Sequence, residues 1–305
     1  MREAVDGILL INKPEGLVSF HVVRKLKPFL KGTKVGYLGI LDPMAKGVLP
    51  ILLGKATRLA PLLEEGEKVY EGIIKLGITT DTQDRDGKPI KVVEDLSAFD
   101  LSPLKIQEVF KRFEGKIKQV PPMFSAKKYK GVPLYKYARK GVEVPREFKE
   151  VEIYEIKPTK VELPFVEFFL RCSKGTYVRT LAHDIGEALG CGGHLYSLTR
   201  LRNGPFGIED AKDLEEVLRL AEEGRLLELI WDLNKALGYL NALELEGQNL
   251  YRILHGGFVF LEDKELKEGL VRVMDGEGKL VAIGLVNRVG KEWMIRPLKV
   301  LGGRA

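Results

Sequence analysis

The residues best suited to chemistry surround a single acid, Asp42, in the apolar and glycine-rich stretch 35–50. Gly36, Gly39 and Gly47 allow the backbone there to turn sharply or to lie close to a ligand. A carboxylate in an apolar loop can act as a nucleophile at a sugar carbon or as a base. The stretch is therefore a candidate catalytic loop.

The same acid also fits a purely structural interpretation. Asp is a favoured N-cap and Pro is a favoured first helical residue, so Asp42-Pro43 could begin a helix. Gly47 argues against a helix that continues through this stretch, because glycine is a poor helix former. The residue pattern alone leaves both interpretations open.

Residues 35–50 resemble the catalytic motif of the bacterial tRNA pseudouridine(55) synthases, Gly-His-Thr-Gly-(Thr/Ala)-Leu-Asp-Pro. Short motifs in a fixed order are specific, whereas any one of them would be weak. The chain departs from the family at Tyr37 and Leu38, where the family has His and Thr. Further motifs that match the family are residues 11–14, 54–58, 68–70, 76–82, 121–127, 134–139, 172–179 and 189–192.

The resemblance implies an isomerisation that breaks the bond between ribose C1′ and uracil N1 and rejoins the base through C5. It implies Asp42 as nucleophile at C1′ or base at C2′, and the sequence does not separate these routes. An ionised carboxylate in a closed pocket needs a nearby cation, for which Arg179 is the candidate. Tyr177 corresponds to the residue that removes the C5 proton. The reaction needs no cofactor and no metal.

The resemblance also implies contacts to the substrate. Tyr70 corresponds to the residue that stacks on the flipped uracil, and Leu198 to an apolar contact with the base. Tyr37 replaces a histidine that helps to open the T-loop, and a tyrosine ring could also stack there. Taken singly, Tyr70 and Tyr177 would more often be core aromatics.

Residues 127–146 combine many cations and three tyrosines with a single acid, Glu143. Cations can bind phosphates while tyrosines stack on unpaired bases, which favours RNA binding over a merely solvated face. The segment lies in an insertion at about 121–150 that we expect to be mobile and to become ordered on RNA. The predicted substrate-binding cations are Lys127, Lys128, Lys130 and Arg139.

Composition narrows the class of protein. The chain has 305 residues, 45% of them hydrophobic, which is enough for one large domain and a small one, and its net charge of +6 permits a polyanionic partner. Its two cysteines form no C-x-x-C pair and its four histidines are scattered, so no zinc site is expected. No apolar run approaches the length of a membrane span and the N-terminus lacks a signal-peptide core. These features predict a cytoplasmic protein.

Local patterning predicts mixed α and β structure. Strands are expected at 70–76, 161–163 and 165–172, helices at 103–113, 180–189 and 211–223, and a β-hairpin at 271–286. The family implies an α+β pseudouridine synthase fold, with a mixed, mostly antiparallel sheet flanked by helices. We expect a catalytic domain over 1–237 and a PUA-like RNA-binding barrel, a small all-β unit, over 238–305.

The leading functional hypothesis is conversion of uridine-55 to pseudouridine in the T-loop of tRNA. The T-arm is then the partner, with no membrane and no obligate protein partner, and the family favours a monomer. A non-catalytic RNA-binding or RNA-folding protein is the alternative, and it would tolerate loss of Asp42. A glycoside hydrolase would need a second pocket acid, which the motif does not supply.

Overall fold

The structure is a computed structural model that describes residues 4–262 and 266–302. Its helices are α1 (Ser19–Leu26), α2 (Ala60–Leu63), α3 (Pro103–Lys111), α4 (Leu134–Ala138), α5 (Val178–Ala188), α6 (Leu214–Glu222), α7 (Leu233–Ala236) and α8 (Gly247–Leu254). Its strands are β1 (Gly7–Lys13), β2 (Val35–Tyr37), β3 (Ala45–Leu53), β4 (Lys68–Leu76), β5 (Ile78–Thr80), β6 (Pro89–Val92), β7 (Gly115–Gln119), β8 (Lys128–Tyr129), β9 (Val132–Pro133), β10 (Lys149–Glu162), β11 (Phe165–Cys172), β12 (Gly193–Asn203), β13 (Phe206–Gly207), β14 (Lys212–Asp213), β15 (Ile230–Trp231), β16 (Asn241–Glu244), β17 (Val259–Leu261), β18 (Gly269–Met274), β19 (Leu280–Val289) and β20 (Glu292–Val300).

A large mixed sheet forms the main part of the molecule, with the strand order β14-β1-β3-β12-β4-β11-β10-β7. Most neighbours are antiparallel, but β12 runs parallel to β3 and β14 parallel to β1. Alternate residues of β11 are buried, from Val166 to Cys172, which is the period-2 pattern of a strand. The predicted α+β class and mostly antiparallel sheet are confirmed.

The sheet is covered on both faces where β1 and β3 pair. Leu9 and Ile11 pack into the main core together with α1, α3, α5 and α6, whereas Ile8 and Leu10 pack into a second cluster on the other face. Burial on both faces explains why β1 is a continuous apolar run and not an alternating one. The two cores therefore hold this strand pair rigidly from both sides.

The structure decides between the two interpretations left open at Asp42-Pro43. No helix begins there: Ala45 N–H donates to the Asp42 carbonyl over 3.1 Å in a turn, and β3 begins at Ala45. One local expectation was wrong. The helix expected from Thr180 begins earlier, at Val178, because the turn through Gly175 (φ +77°) sets its start and no side chain caps it. Its predicted end at Gly190, also left-handed, is confirmed.

The tail, from β16 onward, forms a separate five-stranded sheet with the order β16-β18-β19-β20-β17. The predicted hairpin is confirmed as β18 and β19, joined by the turn at 275–279. Helix α8 packs on this sheet and is an addition to the expected strands. Residues 263–265 and 303–305 of the predicted 238–305 unit lie outside the described residues.

The tail is also part of the second hydrophobic cluster. Ile283 and Leu301 of the tail are buried there with Ile8 and Leu10 of β1. Arg272 Nε donates to the Leu240 carbonyl over 3.0 Å, which fixes the tail against the preceding segment. The tail thus packs, together with residues of α2 and α7, on the face of the main sheet opposite the main core.

We predict that Ile283→Ala destabilises the main sheet as well as the tail, because the cavity opens beside β1. Truncation of a buried isoleucine costs about 2–5 kcal/mol. Urea unfolding followed by tryptophan fluorescence reports on this, since Trp231 packs against the same cluster. Val289→Ala is the control, because Val289 is exposed. Equal stability of the two variants would show that the tail is an independent module.

Candidate active site

The loop that carries Asp42 is fixed by the start of α1. The buried Ser19 hydroxyl accepts a hydrogen bond from the Leu41 N–H (3.0 Å) and donates one to the Leu41 carbonyl (3.1 Å). Gly16 N–H donates to the Pro43 carbonyl over 2.8 Å. The loop backbone is thus anchored on each side of Asp42 before any ligand binds.

Asp42 forms a bidentate ion pair with Arg179, from the first turn of α5. Arg179 Nε lies 2.8 Å from Oδ2 and Nη2 lies 3.1 Å from Oδ1. The side chain of Arg179 is only 7% exposed, whereas that of Asp42 is 34% exposed. Fork-to-fork pairing is a strong and directional form of charge-assisted bonding, and it favours the ionised carboxylate. Asp42 is therefore oriented from behind and open on one side.

The same guanidinium also contacts three further acceptors. Nη1 donates to the Thr82 carbonyl (3.0 Å) and lies 3.5 Å from Asp84 Oδ2, while Nη2 donates to the Phe124 carbonyl (3.0 Å). These contacts tie the turn after β5 and the start of the 121–150 insertion to α5. Arg179 thus joins three segments that are distant in sequence.

Asp84 is a site residue that the sequence did not reveal. Burial raises the pKa of its carboxyl, while Thr82 Oγ1, which donates to Oδ1 over 2.5 Å, and the Arg179 charge act in the opposite direction. A lone Asp in a polar turn carries no signal of burial. The matching family motif around Thr80–Thr82 ended just before it.

Lys13 is fully buried beneath the loop. Its ammonium group donates to the carbonyls of Pro14 (2.9 Å), Leu17 (2.7 Å) and Pro43 (3.4 Å). Burial lowers the pKa of Lys13 to about 8, although the Asp42 charge opposes this shift. The side chain binds backbone carbonyls and shapes the floor of the pocket.

The two predicted tyrosines border Asp42. Tyr70, on β4, is 7% exposed, and burial together with the Asp42 charge raises its pKa to about 12. Tyr177 precedes α5 and is half-buried. Burial raises its pKa, and the neighbouring Ser125 hydroxyl and Arg179 charge partly offset the rise. Gln119 holds the Tyr177 backbone through bonds of 3.0 and 3.2 Å.

Leu198, on β12, lies opposite Ala45 of β3 and Gly72 of β4, and it is 5% exposed. These pairings place Leu198 beside β3, the strand that follows the Asp42 loop. On its other side it lies opposite the residue of β4 that is two positions after Tyr70. The structure therefore brings Asp42, Arg179, Tyr70, Tyr177 and Leu198 together.

Tyr37 and Leu38, the departures from the family motif, have different surroundings. Tyr37 ends β2 and packs as a half-buried ring against the main core. Leu38 is buried in the second cluster, and its carbonyl accepts a hydrogen bond from Asn203 Nδ2 (2.9 Å). An apolar side chain at position 38 is thus used in packing.

The basic segment extends outward from the site. Phe124 and Ser125 contact the Arg179 and Tyr177 side chains, and the chain then forms the β8-β9 hairpin and α4. Its tyrosines contact one another and the cations: Tyr129 packs edge-on to Tyr137 and Arg139 covers Tyr135. The predicted RNA-binding cations are all exposed, and they are Lys127, Lys128, Lys130 and Arg139.

Two further features concern the described residues. Within 4–262 and 266–302, no three of the His, Cys, Asp and Glu side chains are grouped closely enough to hold a metal ion. Within the same ranges, no helix is long and apolar enough to cross a membrane.

Family models cover nearly the whole chain. Residues 27–178 match the N-terminal domain of the TruB family pseudouridylate synthases, residues 179–238 match the tRNA pseudouridylate synthase B C-terminal domain, and residues 242–301 match a C-terminal model of pseudouridine synthase II TruB. The break between the second and third models falls close to the start of β16.

Curated relatives are similar over most of their length. A tRNA pseudouridine synthase B of Geobacter sulfurreducens is 46% identical over 261 residues, covering 86% of this chain and 85% of the relative. Its counterpart in Geotalea uraniireducens is 42% identical over 303 residues, covering 97% and 96%.

Solved structures agree with the fold. A chain of an H/ACA RNP bound to a substrate RNA containing 2′-deoxyuridine has a TM-score of 0.71 and 27% identity, covering 98% of this chain and 86% of that one. A chain of a Cbf5-Nop10-Gar1 complex has a TM-score of 0.70 and 28% identity, covering 96% and 84%.

The fold and the matching family models are those of the pseudouridine synthases, which are isomerases. Within that class, the chain belongs to the TruB family.

We predict that Lys13→Met flattens the pH dependence of stability above neutrality. The unfolded chain keeps a proton on Lys13 up to its ordinary pKa of 10.5, whereas the folded chain releases it from about pH 8. The unfolded state therefore binds more protons in this window, so this group makes stability rise with pH. The variant should remove about 1 kcal/mol of that rise between pH 8 and 9.

Urea unfolding at several pH values measures this slope. Lys46→Met, an exposed lysine on β3, is the matched control and should leave the slope unchanged. An identical slope in Lys13→Met and the unmodified protein would mean that Lys13 stays protonated when folded.

Proposed function

We propose that this protein converts uridine-55 of tRNA to pseudouridine, with Asp42 as the residue that starts the reaction. The observation that carries the proposal is the bidentate Arg179–Asp42 pair, which leaves the carboxylate oriented and partly exposed. The names of the relatives, tRNA pseudouridine synthase B, supply the substrate class.

In the proposed reaction the C1′–N1 bond breaks and a new bond joins C1′ to C5. Asp42 either bonds to C1′ and is later displaced, or removes a proton at C2′ and returns it. In both routes the proton lost from C5 is balanced by one gained at N1, so the reaction is an isomerisation with no oxidant or reductant. Arg179 orients the carboxylate for the first step through its two hydrogen bonds.

Tyr177 is proposed to take the C5 proton. Since burial raises its pKa, the neutral phenol predominates near pH 7. The phenol can then accept a proton only as its own proton moves to an acceptor. The Asp42 carboxylate is free again once the new bond has formed. Its charge interacts with the Tyr177 hydroxyl, and it is suited to accept the proton that Tyr177 releases.

The uridine must leave its stack to reach Asp42, because the acid lies in a pocket. We propose that the extruded base meets Tyr70 and Leu198, whose small exposed portions border the acid, and that Tyr37 contacts the opened loop. Stacking on an aromatic ring is worth about 1–3 kcal/mol per base.

The RNA is proposed to bind along the exposed cations of the 121–150 insertion, with the T-arm lying beside the site. The domains are proposed as 1–237 for catalysis and 238–305 as a PUA-like RNA-binding unit. We further propose that the protein acts in the cytoplasm as a monomer, without an obligate protein partner.

We predict that Asp42→Asn abolishes pseudouridine formation and changes tRNA affinity by less than about tenfold, because one neutralised pocket acid removes chemistry but few phosphate contacts. Pseudouridine in a T-arm hairpin, incubated with the pure protein and no added cofactor, is measured beside binding of the same RNA. Asp81→Asn, in the turn after β5, is the control. Activity near the unmodified level in Asp42→Asn would favour the non-catalytic RNA-binding alternative.

We predict that replacing Lys127, Lys128 and Lys130 together by Ala weakens tRNA binding and reduces the slope of log K against log salt by roughly two to three. Each lysine that binds a phosphate releases about one counterion. Titrations at several salt concentrations give the slope.

The matched control replaces three exposed lysines outside the insertion, on α3 and β10, and it should leave the slope unchanged. An unaltered slope in the insertion variant would assign those cations to a solvated face. The control lysines are Lys111, Lys157 and Lys160.

A further inference from the structure

Arg200 is a buried cation near the site that no step of the proposed reaction uses. It lies on β12 and is 1% exposed. Its Nε donates to the Val48 carbonyl (2.9 Å) and its Nη2 to the Gly39 carbonyl (3.2 Å). Tyr70 is the residue opposite Arg200 on β4, and the guanidinium charge acts to lower the pKa of its hydroxyl. All three neighbouring groups are neutral.

The charge of Arg200 has no carboxylate to balance it. In the parts of the chain that the structure describes, no Asp or Glu forms an ion pair with this guanidinium. Removing a cation from water without an anionic partner weakens folding, and an apolar side chain of similar volume would suit the core better. Packing alone therefore does not account for an arginine at this position.

The neighbours of Arg200 belong to the parts that must be held together for chemistry. Gly39 lies in the Asp42 loop, Val48 lies in the strand that follows the loop, and Tyr70 borders the acid. The approach at Gly39 is close: its φ is +67°, and a Cβ there would meet Arg200 Nη1 at 3.0 Å. The loop backbone thus lies directly on the guanidinium.

A second residue of β12 holds the neighbouring carbonyl. The buried Asn203 donates to the Leu38 carbonyl over 2.9 Å. Two successive carbonyls of the loop, at Leu38 and Gly39, are therefore bound from one strand. Since β12 also carries Leu198, this strand fixes the loop and contributes a wall of the pocket.

We propose that Arg200 is a positioning residue for the isomerisation. Its planar guanidinium sets the Tyr70 ring and the Gly39 carbonyl at a fixed separation, and so sets where Asp42 lies relative to the base. This inference rests on the proposed function, and it assigns to the Tyr70 hydroxyl a use that base stacking alone does not require.

Arg200→Met, which keeps an unbranched apolar stem and removes the donors and the charge, tests the proposal. We expect kcat for pseudouridine formation, per folded molecule, to fall about 100-fold, as misplacement of reacting groups by about 1 Å can cause. KM for tRNA should stay within about threefold, because Arg200 is buried and meets no phosphate. Arg200→Lys should recover part of kcat, since it can donate to one or both of the two carbonyls.

Arg202→Met is the matched control, because Arg202 lies on the same strand but is exposed and pairs with Glu209. A kcat of Arg200→Met within about threefold of the unmodified enzyme would overturn the proposal. If Arg200→Met does not fold, Arg200→Lys and Tyr70→Phe are compared singly and together. Coupled effects on kcat support the proposal, and additive effects overturn it.

Hydrogen exchange of the loop amides at 38–42 gives a readout that needs no RNA. Exchange should quicken in Arg200→Met or Arg200→Lys but not in Arg202→Met, and unchanged exchange would overturn the proposal. Failure of the proposed function would give a different result. The unmodified protein would form no pseudouridine, while hydrogen exchange of the loop amides would still quicken when Arg200 is replaced.

Discussion

The Arg179–Asp42 ion pair is the interaction on which the site depends. A buried guanidinium must have acceptors for its donors, and Arg179 finds them in Asp42, in the Thr82 and Phe124 carbonyls and in Asp84. These acceptors come from three different parts of the chain. Because loss of one leaves a buried donor unsatisfied, the loop, the turn after β5 and the base of the insertion are held in one arrangement.

Buried cations recur around this pair. Lys13, Lys68 and Arg200 are all within the core, and each donates to backbone carbonyls. Burial lowers the pKa of both lysines to about 8, so the positive charge has a cost in stability. The charge of Lys13 interacts with Asp42 and that of Arg179 with both Asp42 and Asp84, while burial still raises the pKa of Asp84.

Periodicity and short motifs predicted much of this structure, because local residue types determine them. Strands β4 and β11, helix α5 and the hairpin of the tail follow from alternation and helical spacing. Local residue types left a helix start and a loop open at Asp42-Pro43, and the choice depends on a distant contact, since Ser19 binds the Leu41 backbone and a turn follows. Asp84 and Arg200 could not be found from the sequence, because only pairing across the chain buries them.

The parallel pairing of β12 with β3 has a consequence for the order in which the molecule is built. Asp42 and Tyr70 are synthesised early, but Arg179 and Arg200, which orient them, follow more than a hundred residues later. Contacts between such distant parts of the chain form late in folding. A ribosome-bound chain that ends before β12 therefore contains Asp42 but not the residues of β12 that position its loop. The active site can form only after β12 has paired with its neighbours in the sheet.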